Sequence, residues 1–523
     1  DELISLLESS DDAVRLAEAY LRQGDLYTLL RRYDDAEQAL NRSLALRREL
    51  QDAVGERHTL RSLGLLRWHQ DRNREALAYI ERAVEIDRER ADMEALVGDL
   101  SNLGYVLKGM GEHEGARAYL EEGLALSETI QRGENGGGGG AIAGEVAVQR
   151  SYLLHNLANV HRELGDDERA LEFMLRAQDF ARERRLPIQL SYHLTSIAHL
   201  HLRHGRVQES LEYYQEAVDL TRRARYASGL AQSLSFLGEL MLGLERQAEA
   251  LPHLLEAAAL FGQLRDSASE ATMWSRVAGV HEGRNDFAEA LAAWGRARSL
   301  RQQSGDMAGA LEALEGIARA TRRHVAEPSL ALGYYYEALA MADALADRKT
   351  QARLGNTIGI LEWSRGAFDV ALAQYDRALS LFQVLGDKAG AGLMMNSIGL
   401  TLAALGRLDD ARMRLEKAIT LHHSSGERLL EGHALAALGD VCERMGETSV
   451  AQERYEHSLR IRREIGDRRG EGWMLHRLAR IHLSLGALGL GRELAARASE
   501  AATECSDQEL SDACDRLLRE PTL

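Results

Sequence analysis

The sequence predicts an all-α protein in which about twelve helix-turn-helix units follow one another as a solenoid. Three observations support this prediction. A small residue recurs at an almost fixed interval, apolar residues follow helical spacing around it, and only four prolines occur in 523 residues that are 45% hydrophobic. A globular chain of this length would divide into several domains, whereas a solenoid grows by adding units that rest on their neighbours.

The recurring small residue marks each unit, and we call its place the small position. Ten of the eleven intervals between its copies are 40 or 41 residues long, which indicates one supersecondary unit repeated along the chain. The copies are Gly24, Gly64, Gly104, Ala158, Ala198, Gly238, Ala278, Ala318, Gly359, Gly399, Gly439 and Ala479. Because small side chains allow two helices to approach closely, each unit is predicted to be a helical hairpin.

Each hairpin is predicted to contain two amphipathic helices of about 15 to 18 residues. In the tenth copy, apolar residues follow helical spacing in residues 393–405 and 408–421, on either side of Gly406. A glycine recurs at this break, where a left-handed helix cap favours a residue without a Cβ. After the second helix, glycine followed by an acidic residue predicts a helix end and a new N-cap. These pairs are Gly305-Asp306, Gly386-Asp387, Gly426-Glu427 and Gly466-Asp467.

This pattern resembles the tetratricopeptide repeat (TPR) family in its forty-residue subtype. The resemblance covers about residues 13–505, and it rests on leucine before the small position and on further small residues after it, as in Leu103, Gly104, Ala116 and Gly123. Similar repeats occur in Pins/LGN-type scaffolds and in the sensor arms of bacterial signal-transduction ATPases. The resemblance implies a right-handed superhelix of about twelve repeats with a concave groove.

The spacing of the small position divides the chain into four predicted parts. Residues 1–130 are predicted to hold the end of an N-terminal helix and repeats one to three, residues 145–505 to hold repeats four to twelve, and residues 506–523 to form a capping helix. Residues 131–144 are predicted to be a flexible insertion, natural or engineered, because a run of five glycines is costly to order. The alternative is a loop that orders on binding or is cleaved.

A smaller irregularity lies in the eighth repeat. One extra residue falls between His324 and Pro328. Because proline is well suited to the first turn of a helix, Pro328 is predicted to begin the second helix of this repeat.

Composition limits the possible functions. The formal net charge of −17 argues against nucleic acid as a partner, since phosphate binding needs a basic surface. Three cysteines are too few for a disulfide framework, which favours a cytoplasmic location, and no apolar run is long enough for membrane insertion. Nucleotide-binding, zinc-protease and nucleophile-elbow motifs are absent. We therefore expect no enzymatic activity, no catalytic residue, no metal and no cofactor.

Eighteen histidines raise the question of a metal site. Four of them share one place, three residues after the small position, where the TPR family usually has an aromatic residue. They are His161, His201, His281 and His482. We expect these rings to pack against the neighbouring helix rather than to bind a metal.

Function is therefore expected on the concave groove. The resemblance implies that the first helix of each hairpin lines it, through places six and three before the small position and one, four and five after it. Asparagine amides on such a face offer a donor and an acceptor to the backbone of an extended peptide. The predicted peptide-binding residues are Asn102, Tyr152, His155, Asn156, Asn159, Arg162, Tyr192, His199, Arg203, Arg319, Arg322, Arg323, Arg353, Asn356, Asn396, Trp473, His476 and Arg480.

Four arginines in adjacent repeats form the sharpest feature of this face. We call Arg319, Arg322, Arg323 and Arg353 the arginine cluster. Guanidinium groups can bind carboxylates or phosphates of a partner in a bidentate manner. The alternative is that they pair internally with Glu312, Glu315 or other nearby acids.

Two functions remain open at this point. The first is a non-catalytic scaffold that binds a protein or peptide partner, with an acidic segment as the favoured ligand. The second is a sensor or regulatory arm of a larger signalling protein, such as an ATPase switch, a transcriptional activator or a caspase-like protease, that binds a peptide or small-molecule effector. The two share the groove and differ in the domains that accompany it.

Overall fold

A computed structural model of the chain describes residues 4, 7, 12–134, 142–324 and 328–519. Within these residues the secondary structure consists of 25 α-helices and no β-strand. The predicted all-α class is therefore confirmed. Contacts divide the chain into two compact units, Asp1–Asp266 and Ser267–Leu523. The predicted N-terminal helix end lies mostly outside the described residues.

The first unit contains six helical hairpins in sequence. Odd-numbered helices are the first of each pair and carry the small position, and even-numbered helices are the second. They are α1 (Ala13–Leu29), α2 (Tyr33–Glu49), α3 (Ala53–His69), α4 (Asn73–Arg90), α5 (Met93–Gly109), α6 (His113–Glu134), α7 (Ile142–Glu163), α8 (Asp167–Glu183), α9 (Pro187–Arg203), α10 (Val207–Arg223), α11 (Ala227–Gly243) and α12 (Gln247–Gln263).

The second unit contains six further hairpins and a final helix. The hairpins are α13 (Ser267–Gly283), α14 (Phe287–Gln303), α15 (Met307–His324), α16 (Pro328–Ala344), α17 (Arg348–Ser364), α18 (Phe368–Val384), α19 (Lys388–Ala404), α20 (Leu408–Ser425), α21 (Arg428–Arg444), α22 (Thr448–Glu464), α23 (Arg468–Ser484) and α24 (Leu488–Glu504). The final helix, α25 (Gln508–Arg519), buries Leu510 and Cys514 in the same core as Ala498 of α24. It covers the last hairpin, as predicted for a cap.

The small position lies where the two helices of a hairpin cross. A Cβ built on Gly439 would lie 2.4 Å from Cε1 of Tyr455, and one built on Gly104 would lie 2.4 Å from Cγ of Leu120. In both hairpins the large partner follows sixteen residues later and is buried. Buried partners at this place are Leu40, Ile80, Leu120, Met174, Tyr214, Leu254, Trp294, Tyr375, Leu415 and Tyr455. The close approach inferred from the sequence is thus confirmed.

A pair of glycine substitutions tests this crossing. Gly439→Ala is expected to lower the free energy of unfolding by about 1–3 kcal/mol, because the added methyl overlaps the ring of Tyr455. Gly279→Ala is the matched control, since nothing lies within 4 Å of the added Cβ, and it should stabilise its helix by about 0.5–1 kcal/mol. Urea unfolding followed by circular dichroism measures both, and equal effects would contradict the crossing.

Left-handed residues end the helices at the breaks that the glycines predict. Gly406 has a φ of +79° between α19 and α20. Gly386, with a φ of +70°, precedes α19. The side chain of the next residue, Asp387, is the predicted N-cap of α19 and accepts a hydrogen bond of 2.9 Å from the backbone N–H of Gly390. Glu427 occupies the predicted N-cap position of α21, but its side chain makes no capping hydrogen bond. Glutamate is longer than the residues that favour this position.

The two irregularities have local structural outcomes. Helix α6 continues to Glu134 and α7 begins at Ile142, so both helices extend into the segment 131–144. The run Gly136–Gly140 lies outside the described residues. Pro328 begins α16, as predicted. None of the helices in the described part of the chain is both long and apolar enough to cross a lipid bilayer.

Candidate peptide-binding surfaces

Eight of the eighteen predicted site residues line two cavities, one in each unit. Six line a cavity of about 520 Å³ in the first unit, which we call the first-unit cavity. Two line a cavity of about 580 Å³ in the second unit, the second-unit cavity. The remaining ten lie elsewhere on the first helices of hairpins.

The first-unit cavity is lined by residues of α5, α7 and α9. The predicted residues found there are Asn102, Tyr152, His155, Asn156, Asn159 and Tyr192. Five other lining residues were not predicted, which are Ser101, Tyr105, Lys108, Gln149 and His193. Tyr105 and Lys108 lie one and four places after the small position Gly104, so the repeat register could have found them. His193 lies at none of the expected places.

A short chain of hydrogen bonds runs from the core into this cavity. The hydroxyl of buried Ser151 lies 2.7 Å from Nε2 of His193, and Nδ1 of His193 lies 3.2 Å from Nδ1 of His155. If the hydroxyl of Ser151 donates to Nε2 of His193, then the Nδ1–H of His193 donates to Nδ1 of His155. In this arrangement the buried hydrogens of Ser151 and His193 both have acceptors. His155 then carries its hydrogen on Nε2, where it can donate to a ligand in the cavity.

Burial keeps these two rings neutral. It lowers the pKa of His155 to about 4, with a further contribution from the charge of Lys108. Burial also lowers the pKa of His193 to about 3, with His155 as the second cause. Because both values lie well below neutral pH, the pair acts as a hydrogen-bonding group and not as a cation.

The positive charge at this cavity comes from Lys108. Its ammonium lies 4.9 Å from the centre of the Tyr105 ring, which is a cation–π contact. Burial lowers the pKa of Lys108, and the charge of Arg162 acts in the same direction. Arg162 itself donates to Glu163 at 2.8 Å. No carboxylate is found among the residues described as lining the cavity, which leaves the cavity rich in donors.

Two predicted residues of α9 are engaged within the protein. Nδ1 of His199 lies 2.6 Å from the backbone oxygen of Thr195, and its ring meets Phe236 edge-on at 4.7 Å. The guanidinium of Arg203 lies 3.6 Å from Asp167. Both side chains lie on the first-helix face, but neither lines the first-unit cavity.

Half of the arginine cluster is neutralised internally. Nε of Arg319 donates to Glu282 at 3.0 Å, and Arg353 donates to Glu315 at 2.7 Å. The internal pairing left open by the sequence therefore holds for these two arginines. In each pair the acid comes from the preceding hairpin.

The other half of the arginine cluster remains without a counter-charge. Arg322 and Arg323 are exposed, and no ion pair joins either of them to another residue in the part of the chain that the structure describes. Burial raises the pKa of Tyr335, while the charges of Arg322 and Arg319 oppose this shift. Arg322 thus lies in the same region as the paired Arg319, but no acid among the described residues pairs with it.

Charged residues around the second-unit cavity are paired with one another. Arg477 donates to both carboxylate oxygens of Asp440 at 2.7 and 2.8 Å. Arg469 donates to Asp507 at 2.7 Å, and the indole N–H of Trp473 donates to the same carboxylate at 3.3 Å. The wall of this cavity therefore carries little net charge, although it combines polar side chains with apolar ones such as Leu400 and Leu429.

Two other predicted residues lie near Trp473 on the same helix. The ring of His476 lies 5.8 Å from that of Trp473, and burial lowers the pKa of His476. Arg480 donates to both oxygens of Glu443 at 2.9 and 2.7 Å. Neither residue lines the second-unit cavity.

Asn356 and Asn396 present only one side of their amides. In each, the Oδ1 atom is buried and has no hydrogen-bond partner among the described residues. The amide nitrogens are therefore the atoms that these residues can offer to a carbonyl oxygen of a ligand. Asn396 lines the second-unit cavity.

Two of the four histidines after the small position stack on aromatic rings. His161 stacks on Phe173 with ring centres 5.2 Å apart, and His201 stacks on Tyr213 at 5.4 Å. Across the described ranges, no group of three or more histidine, cysteine, aspartate or glutamate side chains is placed to hold a metal ion.

The hairpins and their polar first-helix faces define a helical repeat protein of the solenoid class. The sequence model described as Tetratricopeptide repeat matches residues 15–89, 189–263, 350–422 and 391–464, which together make up just over half of the chain. Two further Tetratricopeptide repeat models match residues 100–130 and 153–186. The chain therefore belongs to the tetratricopeptide repeat family.

Solved structures with a similar fold come from several sources. BtubC from P. vanneervenii is 20% identical, with a TM-score of 0.38, over 43% of this chain and 92% of that protein. A signal transduction ATPase with numerous domains and a tetratricopeptide repeat sensor, from Pyrococcus horikoshii, is 14% identical, with a TM-score of 0.45, over 67% and 53%. The apo form of RapI is 13% identical, with a TM-score of 0.47, over 71% and 99%.

No curated protein matches the chain in sequence. At these identities and scores, the structural likenesses carry no information on function.

Proposed function

We propose that the chain is a non-catalytic scaffold that binds an extended segment of a partner protein in the first-unit cavity. The observation that carries this proposal is the convergence of six predicted peptide-binding residues from three successive first helices on one cavity. Protein binding is the usual role of tetratricopeptide repeats. The cavity adds a specific place and a specific chemistry to that role.

The chemistry of the cavity favours a ligand with several acceptor atoms. Asn102 and Asn159 can each donate to one backbone carbonyl and accept from one N–H, which matches the alternation of an extended peptide. The Nε2–H of His155 supplies a fixed donor. Lys108 adds a positive charge that a carboxylate can neutralise, which supports an acidic segment as the ligand.

Peptide selection tests this proposal. Random peptides displayed on phage would be selected on the purified chain, and recovered peptides would be measured by fluorescence anisotropy. Asn102→Ala and Asn159→Ala are each expected to weaken binding by about tenfold, the effect of one lost hydrogen bond of about 1.4 kcal/mol. Asn41→Ala is the matched control, because Asn41 is exposed on the second helix α2.

The outcome against the proposal is equally clear. Peptides that bind the wild type, Asn102→Ala and Asn159→Ala variants with equal affinity would show that the first-unit cavity is not the binding site. Circular dichroism of each variant would show that helicity is unchanged.

A further inference from the structure

Neighbouring first helices contact each other in a fixed register. The residue four places after one small position meets the residue one place after the next. Glu282 meets Arg319 in this way, at 3.0 Å between the carboxylate and Nε. Glu443 and Arg480 repeat the contact at 2.7 Å. Trp68 and Tyr105 form it with aromatic rings, whose centres are 5.4 Å apart.

At Arg322 the same two places of the register do not hold a pair of opposite charges. Arg322 lies four places after Ala318, so its counterpart one place after Gly359 is Ile360. An isoleucine cannot neutralise a guanidinium. Arg322 and its neighbour Arg323 therefore keep two uncompensated positive charges, within the described residues of a chain whose net charge is −17.

Large apolar side chains continue from this point along the same helix face. Ile360 is 49% exposed, Trp363 is 43% exposed and Leu400 is 42% exposed. They occupy the same two places of the register in α17 and α19. Leu400 also lines the second-unit cavity, whose wall includes Leu429. The apolar strip thus leads from the two free arginines into a cavity with internally paired charges.

We propose that Arg322, Arg323, Ile360, Trp363 and Leu400 form a docking surface for an amphipathic segment of a partner protein. The segment carries carboxylates at one end, which bind the two arginines, and large apolar side chains beyond them, which cover the strip. Charge complementarity selects this occupant, because no acid of the described residues pairs with Arg322 or Arg323, whereas Arg319 pairs with Glu282. The inference rests on the proposed scaffold function and assigns it a second site.

Binding at this surface has two separable contributions. The carboxylate–arginine contacts are charge-assisted and exposed, so they weaken as salt concentration rises. Removal of Ile360, Trp363 and Leu400 from water supplies a term that ionic screening does not weaken. A partner segment without carboxylates would lack the arginine contacts, and one without large apolar side chains would leave the strip exposed to water.

Selection on the full chain tests the docking surface. The probe is a phage library of random dodecapeptides, selected on the wild-type protein. We expect recovered peptides to be enriched in Asp or Glu a few residues away from Leu, Ile, Phe or Trp. Such peptides should bind the double variant Arg322→Glu, Arg323→Glu at least about tenfold more weakly, with a smaller salt dependence.

Two further double variants complete the test. Ile360→Ser with Leu400→Ser should weaken the same peptides about as much, without changing the salt dependence. Lys417→Glu with Arg460→Glu is the matched control, since it reverses the same charge at exposed places on second helices. This control should leave the affinity unchanged. Circular dichroism of all variants verifies the fold.

Each outcome decides between the two sites. No acidic-apolar peptide among the recovered clones, or equal affinity for wild type and either surface variant, would overturn the docking surface. Peptides that lose affinity with Asn159→Ala but not with the arginine variant would overturn it and still support the first-unit cavity. Peptides that depend on the arginines and not on Asn159 would support the docking surface alone.

Discussion

Replacing Tyr455 with alanine is expected to lower the free energy of unfolding of the second unit by about 3–5 kcal/mol, the cost of removing a large buried ring. Tyr455 is 0% exposed. Its ring covers Gly439, where a Cβ would lie only 2.4 Å away. Because the glycine has no side chain to fill the space, the cavity left by the ring could not be closed from that helix.

The hydroxyl of Tyr455 contributes separately from its ring. It donates to Asp440 at 2.6 Å and to Glu443 at 3.1 Å, and Asp440 in turn accepts from Arg477. Tyr455→Phe keeps the ring and removes these bonds to carboxylates, so it is expected to cost about 1.5–3 kcal/mol, less than the alanine variant. The difference between the two variants therefore isolates the packing of the ring.

Hydrogen exchange is the appropriate measurement, because repeats can unfold locally. Tyr455→Ala should lose protection chiefly in α21, α22 and α23. Tyr336→Ala is the control in the same unit, since Tyr336 is 37% exposed. This variant should lose much less protection from hydrogen exchange. Equal losses for the two alanine variants would contradict the role given to the buried ring.

The helical hairpins were predictable because the small position is a packing requirement that repeats in the sequence. The turns were predictable only where glycine occupies them. Asp71 and Asn285 have φ values of +58° and +61°, like the glycines at equivalent places. Backbone hydrogen bonds fix these turns, as from the N–H of Arg72 to the carbonyl of Arg67 at 2.9 Å. The identity of the residue is therefore a weak signal there.

The sequence predicts which helix face the arginines share, but it does not predict which of them form internal ion pairs. Arg319 and Arg322 lie on the same helix and both belong to the predicted groove, yet one is neutralised and the other is not. Whether each arginine forms an internal ion pair depends on Glu282 and Ile360, which lie 37 and 38 places away in the sequence. A rule relating the fourth place of one repeat to the first of the next would have separated them. Spacing within one helix could not.

A buried acid pair in the first unit was not foreseen at all. Asp87 and Asp99 are 1% and 0% exposed, and neither carboxylate has a hydrogen-bond partner among the described residues. Arg57 lies 3.4 Å from Asp87 and 3.6 Å from Asp99, and the charge of Arg61 also acts on Asp99. Burial raises the pKa of Asp87 to about 8, with the charge of Asp99 as the second cause.

This pair is expected to make the first unit less stable as pH rises through the neutral range. An unfolded aspartate has a pKa of about 3.9, so between that value and about 8 the folded state holds a proton that the unfolded state has lost. The stability is therefore fully present below the unfolded pKa and declines as pH rises towards the folded pKa. One such proton changes the free energy of unfolding by at most about 1.4 kcal/mol per pH unit.

Buried histidines require a narrow pH window for this measurement. Burial lowers the pKa of His58 to about 4, so the folded state loses its proton before the unfolded state does. Its contribution makes stability rise with pH up to about 6.5, the ordinary histidine value, which opposes the effect of Asp87. Above about pH 7 such histidines are neutral in both states. The effect of Asp87 is therefore best observed between about pH 7 and pH 8.

Asp87→Asn is expected to remove most of this dependence, because its amide is neutral at every pH and can donate to Asp99. Thermal unfolding at several pH values from about 7 to 8 should show the wild-type Tm falling, and the Asp87→Asn variant should have a flatter profile and a higher Tm at the upper limit. Asp34→Asn is the control, because Asp34 is exposed, and it should follow the wild type. A wild-type Tm that stays constant across this range would show that Asp87 is ionised in the folded protein, with Arg57 stabilising both charges.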